Sequence, residues 1–122
     1  MTTTPAHRTD GFSLTAATSD GGTVLRLELH GYLDHDTADR FLADATARLT
    51  DAPDARLLRL DCAGLGGLDS MGLSVLLMLH RRTAAAGVRL RLDHRTAALE
   101  RMLTVTGTLD HLAPGHHSGH GG

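Results

Sequence analysis

A two-residue alternation of apolar and polar side chains predicts the strands of this chain. Residues 23–30 carry leucine at every second position from Leu25 onward, which is the pattern of a half-buried strand. Residues 88–93 repeat it, and residues 55–61 and 12–18 have the composition of two further strands. The turn sequence Ser-Asp-Gly-Gly, which precedes residue 23, joins the first two strands into an antiparallel hairpin.

A longer apolar period predicts three helices. In residues 37–50, 71–86 and 96–103 apolar side chains recur three or four positions apart, which marks one face of a helix. Gly87 and Gly107 are suited to end the last two. The predicted order is therefore β-β-α-β-α-β-α. Because strand–helix–strand units favour parallel neighbours, we expect a single α/β domain with a mixed four- to five-stranded sheet and helices packed on it.

Composition narrows the possible functions. The 122 residues suit one domain, and 41% of them are hydrophobic. The chain has a net charge of −2 and no basic stripe, so we do not expect it to bind nucleic acid. Every basic residue is an arginine, which excludes chemistry that depends on a lysine Schiff base or on the phosphate-binding lysine of a P-loop.

The remaining features predict a cytoplasmic protein. Cys62 is the only cysteine, so no internal disulfide can form, and we interpret it as a small buried core residue. The chain lacks an apolar run of about 18 residues and the apolar segment of a signal peptide, so we expect no membrane insertion. We interpret residues 1–10 as a flexible arm, 11–112 as the folded domain and 113–122 as a disordered His- and Gly-rich tail to which no metal site is assigned.

The stretch GLGGLDSMGLSVLL, from Gly64 to Leu77, is unusual for the beginning of a buried helix. A nucleophile elbow requires Gly-x-Ser-x-Gly, but Leu68 stands at the first glycine position. A dinucleotide fingerprint requires glycine where Asp69 stands, and an acidic residue there would repel a pyrophosphate. Asp69 or Ser70 can cap the helix. Two interpretations remain: simple capping, or a rigid helix start that a partner recognises.

Three stretches of the chain resemble the STAS domain of bacterial anti-sigma factor antagonists. LHGYLDHDTADRF is similar to the family's strand, Gly-x-Leu-Asp sequence and helix. LRLDCAGLGGLDSMGLSVLL is similar to its apolar strand ending in Asp, its short loop and its Asp-Ser-[Ser/Thr]-Gly-Leu-Gly helix start. AAAGVRLRLDHRTAALERMLTVTGTLDHL is similar to its last strand and its C-terminal helix with a Leu-x-x-Thr-Gly ending. The resemblance extends from about Phe12 to Leu112 and implies a STAS-type fold.

This resemblance implies a binding module with no enzymatic activity and no cofactor. Members of the family bind a kinase-like anti-sigma factor and displace the sigma factor, which permits transcription. The anti-sigma factor can use ATP to phosphorylate the second hydroxyl residue of Asp-Ser-[Ser/Thr]-Gly. By the same resemblance, Asp34, Asp69, Ser70, Met71 and Gly72 line the partner-binding face.

The chain departs from the family at the phosphoacceptor. Met71 stands where the hydroxyl residue is expected, and Ser74 replaces the second glycine of Gly-Leu-Gly. The resemblance therefore predicts an antagonist without the usual phosphoacceptor, with Ser70 as a poorly aligned substitute. Met71 either contacts the partner or packs inward. The alternative function is a STAS-type binding subunit of another signalling or membrane transport complex, and we expect a monomer or weak dimer.

Overall fold

The computed structural model describes residues 11–108 and contains the predicted elements in the predicted order. A 3-10 turn at Asp20–Gly22 joins the first two strands. In chain order the main elements are β1 (Phe12–Ser19), β2 (Val24–Leu33), α1 (Ala38–Thr50), β3 (Leu57–Leu68), α2 (Ser70–Ala85), β4 (Arg89–Asp93) and α3 (Ala97–Thr106). The α/β class is confirmed. The predicted arm over 1–10 and tail over 113–122 lie outside the described residues.

The strands form one mixed sheet in the order β1-β2-β3-β4. β1 pairs antiparallel with β2, whereas β2, β3 and β4 run parallel. Both parallel steps pass through a helix and proceed in the same direction across the sheet. Right-handed crossovers therefore carry α1 and α2 to the same face, where they contact each other. The predicted mixed sheet is confirmed, with four strands within residues 11–108.

One face of the sheet is apolar and the other is charged. The helices cover a layer of leucines from the three parallel strands, each at most 9% exposed: Leu25, Leu27, Leu29, Leu58, Leu60, Leu90 and Leu92. On the opposite face Arg26 pairs with Asp61 at 2.9 Å and Arg59 with Asp93 at 2.8 Å. The strict two-residue period seen in the sequence is the direct result of this division.

Two strands are longer than the pattern predicted. β2 continues to Leu33 and β3 to Leu68, whereas the sequence predicted loops after residues 30 and 61. Glycines account for the difference, because a Cβ added at Gly64 would overlap with the ring of His30. The bare backbone of β3 gives the side chains of β2 room, and the register shifts near this point conceal the strand from an apolar-alternation pattern.

Cys62 lies in β3 and is fully buried. Its interpretation as a core residue is therefore confirmed. The same burial raises the pKa of its thiol to about 12. Of the helices in residues 11–108, none has the length and apolar character that a membrane span requires.

Candidate functional site

The loop after β2 and the beginning of α2 meet at one edge of the sheet. Leu33 and Leu68, the last residues of β2 and β3, are paired. The two segments that follow β2 and β3 therefore leave the sheet side by side, at the carboxyl ends of these parallel strands. The backbone N–H of Asp69 donates to the Leu33 carbonyl at 3.2 Å. Asp34 and Asp69, which the sequence predicts to share one surface, thus follow neighbouring strand ends.

The Asp69 carboxylate connects these two segments. Its Oδ1 accepts from the N–H of Gly72 at 2.9 Å and so caps α2. Its Oδ2 accepts from the N–H of His35 at 3.2 Å and lies 3.5 Å from Nδ1 of the His35 ring. The N–H of Gly72, with a further contribution from that of His35, lowers the pKa of Asp69. One side chain therefore both caps a helix and fixes a second loop against it.

Asp34 organises the turn that carries His35 to this position. The Asp34 carboxylate accepts from the N–H of Asp36 at 3.0 Å, and the Asp34 N–H donates to the Thr37 hydroxyl at 2.9 Å. That hydroxyl donates in turn to the Tyr32 carbonyl at 3.0 Å. Thr37 is only 3% exposed, so its hydroxyl is protected from water, whereas Asp36 at the other end of the network is exposed. The Asp34 side chain is therefore used mainly to shape the turn.

Gly72 is a position of close packing. It is buried in the first turn of α2, and an added Cβ would overlap with the carbonyl oxygen of Leu33. Its missing side chain allows the helix to begin directly against the end of β2. Gly72 therefore affects the candidate surface by placing its neighbours, and it offers little area of its own.

Ser70 and Met71 form the exposed part of this helix start. Met71 is 48% exposed, so the interpretation that it packs inward is wrong. Ser74, one turn further along, is also exposed. An apolar side chain with a serine on each side along the helix is thus presented to solvent by a rigid, capped helix.

A possible metal-ligand group lies in the same region. Asp34, His35 and Asp36 place their ligand atoms within 4.8 Å of one another. The Asp34 carboxylate is already occupied by the turn, however, and the His35 ring faces Asp69. We assign no metal to this group.

The family profile described as "Mlab, STAS domain" matches residues 16–114. The chain belongs to the STAS domain family. The site described above therefore lies at the edge of a STAS domain where β2 and β3 end. No curated protein matches the sequence.

Solved structures agree with this STAS fold. An anti-sigma factor antagonist from Mycobacterium paratuberculosis has a TM-score of 0.71 at 21% identity, with 85% of each chain covered. The Bacillus cell fate determinant SpoIIAA in its phosphorylated form has a TM-score of 0.61 at 19% identity, covering 82% of this chain and 88% of its own. The murine anion transporter Slc26a9 has a TM-score of 0.70 at 18% identity, covering 87% of this chain but 20% of the transporter. At these identities the likeness establishes the fold.

Two residues of the STAS site were not predicted. Tyr32 is 56% exposed, and Cβ atoms added at Gly66 and Gly67 would lie 3.4 and 3.1 Å from its ring. A glycine-rich strand beside an aromatic residue is a known pairing, so the sequence held a signal for Tyr32. It held none for His35, because the contact of His35 with Asp69 depends on the register of β2 and β3.

Proposed function

We propose that this STAS domain is an anti-sigma factor antagonist that binds a kinase-like anti-sigma factor and so releases a sigma factor for transcription. The observation that carries the proposal is the Asp69 carboxylate, which fixes the loop after β2 to the capped start of α2 beside the exposed Ser70 and Met71. A surface that is ordered before binding loses little conformational entropy when a partner docks. Binding requires no chemistry by the domain itself, and this role implies a cytoplasmic location.

The chemistry of the proposed surface indicates what its partner must offer. Asp34 and Asp36 in the turn after β2, and Asp69 at the start of α2 beside the exposed Met71, provide three carboxylates in the two segments that Asp69 joins. Methionine is flexible and polarizable, so it adapts to an apolar pocket. The complementary surface is therefore an apolar pocket bordered by basic groups, with charge governing orientation and association rate more than affinity.

The same surface lacks the usual means of release. A phosphate on the helix start would add about −1.5 to −2 charges next to existing carboxylates and so oppose docking. Met71 has no hydroxyl to accept it. Ser70 is displaced by about 100° around the helix, and a phosphoryl-transfer site tolerates little misplacement. Ser74 is exposed as well but lies one turn away. We therefore propose an antagonist whose binding is not switched off at Met71.

The test is incubation with the purified cognate anti-sigma factor and ATP, followed by calorimetry and intact-mass measurement. The wild type should bind and gain no phosphate, whereas Met71→Ser should gain one phosphate and then release its partner. Ser70→Ala and Ser74→Ala in the Met71→Ser background identify the modified hydroxyl. Stoichiometric phosphorylation of the wild type that Ser70→Ala abolishes would contradict the proposal of a missing switch.

A second candidate function is a binding subunit of another signalling or membrane transport complex. It is favoured by the likeness to part of the murine anion transporter Slc26a9. Affinity purification of the full chain from its own cells distinguishes the two functions. Recovery of a kinase-like anti-sigma factor supports the first, and recovery of a transport ATPase or permease supports the second.

A further inference from the structure

The two edge strands of the sheet are protected to different degrees. β4 is short and carries Arg89, Arg91 and Asp93, and such charges discourage pairing with another strand. β1 reads FSLTAATS, with no charge, proline or glycine. Its ladder with β2 is continuous, with no bulge to twist the edge away. Within residues 11–108, β1 is thus an open edge without the usual devices that prevent strand addition.

The register identifies which backbone groups of β1 face outward. The N–H of Tyr32 donates to the Gly11 carbonyl, and these residues are opposite each other in the extended β1–β2 register. In an antiparallel ladder, hydrogen-bonded and non-hydrogen-bonded pairs alternate. The odd-numbered residues of β1 therefore bond to β2, and the even-numbered ones direct both N–H and C=O away from the sheet: Phe12, Leu14, Ala16 and Thr18.

The outward N–H and C=O groups of β1 are unpaired within the part of the chain that the structure describes. Within residues 11–108 no hydrogen bond to them from outside β1 and β2 occurs. The stretch from Thr15 to Ser19 is exposed along its length. An unpaired row of this kind is a template for a further strand.

We propose that this edge pairs antiparallel with β1 of a second copy of the chain, in a register centred on Thr15. The four outward-facing residues are symmetric about Thr15, so this register pairs all of them: Phe12 with Thr18, and Leu14 with Ala16, in both directions. Each pair also places a larger side chain beside a smaller one on the helix-covered face. The absence of charge means that self-pairing brings no like charges together in the strand.

The resulting dimer would have one continuous sheet through both copies. Because the two β1 strands would be antiparallel, the candidate site around Asp69 in one copy would lie at the opposite end of the sheet from that in the other copy. β1 is separated from β3, and so from the beginning of α2, by β2. Dimerisation therefore leaves both sites accessible and is independent of the function proposed for them.

Sedimentation velocity of the full chain, from micromolar to millimolar concentration, provides the first test. We expect a reversible monomer–dimer equilibrium that Ala16→Pro weakens by about tenfold or more. Proline at this position removes an outward N–H without removing a bond to β2, and proline is tolerated on such an edge. Ala16→Val keeps the N–H and should keep the dimer. A wild type that stays monomeric, or a dimer that Ala16→Pro leaves intact, would overturn the proposal.

Disulfide trapping tests the register without depending on that variant. In the proposed pairing Thr15 faces Thr15 of the second copy as a non-hydrogen-bonded pair, with Cα atoms about 4.5 Å apart, a distance that a disulfide spans. With oxidised glutathione, Thr15→Cys should be trapped as a dimer, whereas Ser13→Cys, opposite Ala17 of the second copy, should not. Cys62 is fully buried and does not interfere.

Equal trapping of the two variants would contradict the register. Deletion of residues 1–10 completes the design: if only the shortened chain dimerises, the edge is covered by the chain's own first residues, and the proposal fails for the full chain.

Discussion

The two helices that begin at the candidate site do so in different ways. α1 follows a turn whose polar groups bond to one another: Asp34 to Asp36, and Thr37 to both Asp34 and Tyr32. α2 follows Asp69, whose carboxylate accepts one hydrogen bond from its own helix and another from the neighbouring loop. The first start is self-contained, whereas the second joins two segments of the chain.

This difference separates support from recognition. The turn before α1, anchored by the buried Thr37, holds His35 in place, whereas the start of α2 exposes Ser70 and Met71. The outer face of α1 carries charged side chains such as Arg40 and Asp39, whereas that of α2 exposes Met71 and Met78. Changes at the α2 start should therefore affect binding most, and those that alter its position should also affect stability.

The largest loss of stability is expected from Gly72→Ala. The added Cβ would overlap with the Leu33 carbonyl oxygen, a backbone atom that cannot move aside easily. We expect the free energy of unfolding to fall by about 3 kcal/mol, as for a severely overpacked position. Urea unfolding measures it. Gly66→Ala is the matched control, because its Cβ would be 3.4 Å from the Tyr32 ring; equal losses would contradict the close packing at Gly72.

Asp69→Ala should have the second-largest effect on stability and should also weaken binding. It removes the cap of α2 and the acceptor for the His35 N–H. Thr96→Ala is the control, since Thr96 caps the distant α3 through the N–H of Leu99 and its loss should cost about 1 kcal/mol. Asp69→Ala should destabilise more than this and weaken the proposed anti-sigma factor complex by about tenfold. Calorimetry that finds equal affinities for the two variants would remove Asp69 from the interface.

Asp69 also shows how far the sequence could predict the structure. The cap at Asp69 and the end of α3 at Gly107 follow from local chemistry, because capping and left-handed C-terminal glycines act within a few residues. The contact of Asp69 with His35 spans 34 positions and depends on the pairing of Leu33 with Leu68. The alternation of apolar and polar residues does not predict this register, because both strands continue through glycine-containing stretches where the register shifts.

Acid should weaken the link between the two segments. Backbone N–H groups, chiefly that of Gly72, lower the pKa of Asp69 in the folded state, below the ordinary value of about 3.9. Its contribution to stability is therefore complete above about pH 4 and is lost as the pH falls through the folded pKa. Urea unfolding measured from about pH 2 to about pH 6 covers this titration. As the pH falls, the free energy of unfolding should decrease less for Asp69→Asn than for the wild type.

Asp61 offers an internal comparison for this titration. The Ala63 N–H is the main cause that lowers its pKa, with His94 and Arg26 contributing. It lies on the charged face of the sheet, away from the helix start. Asp61→Asn should therefore flatten the profile independently, and the two changes should add. Identical profiles for the wild type and Asp69→Asn would show that the caps and the loop contact do not favour the charged carboxylate.

The smallest change in stability, and the sharpest test of recognition, is expected from Met71→Ala. Met71 is 48% and Met78 41% exposed on the same helix, so truncating either should alter the free energy of unfolding by no more than about 0.5 kcal/mol. The two methionines lie two turns apart, and only Met71 adjoins Asp69. Met71→Ala should weaken binding of the proposed anti-sigma factor partner by about tenfold, with Met78→Ala close to the wild type. If both lose equal affinity, the partner lies along the outer face of α2. If neither does, the exposed methionine is a surface residue without a role in docking, and recognition depends on the carboxylates beside it.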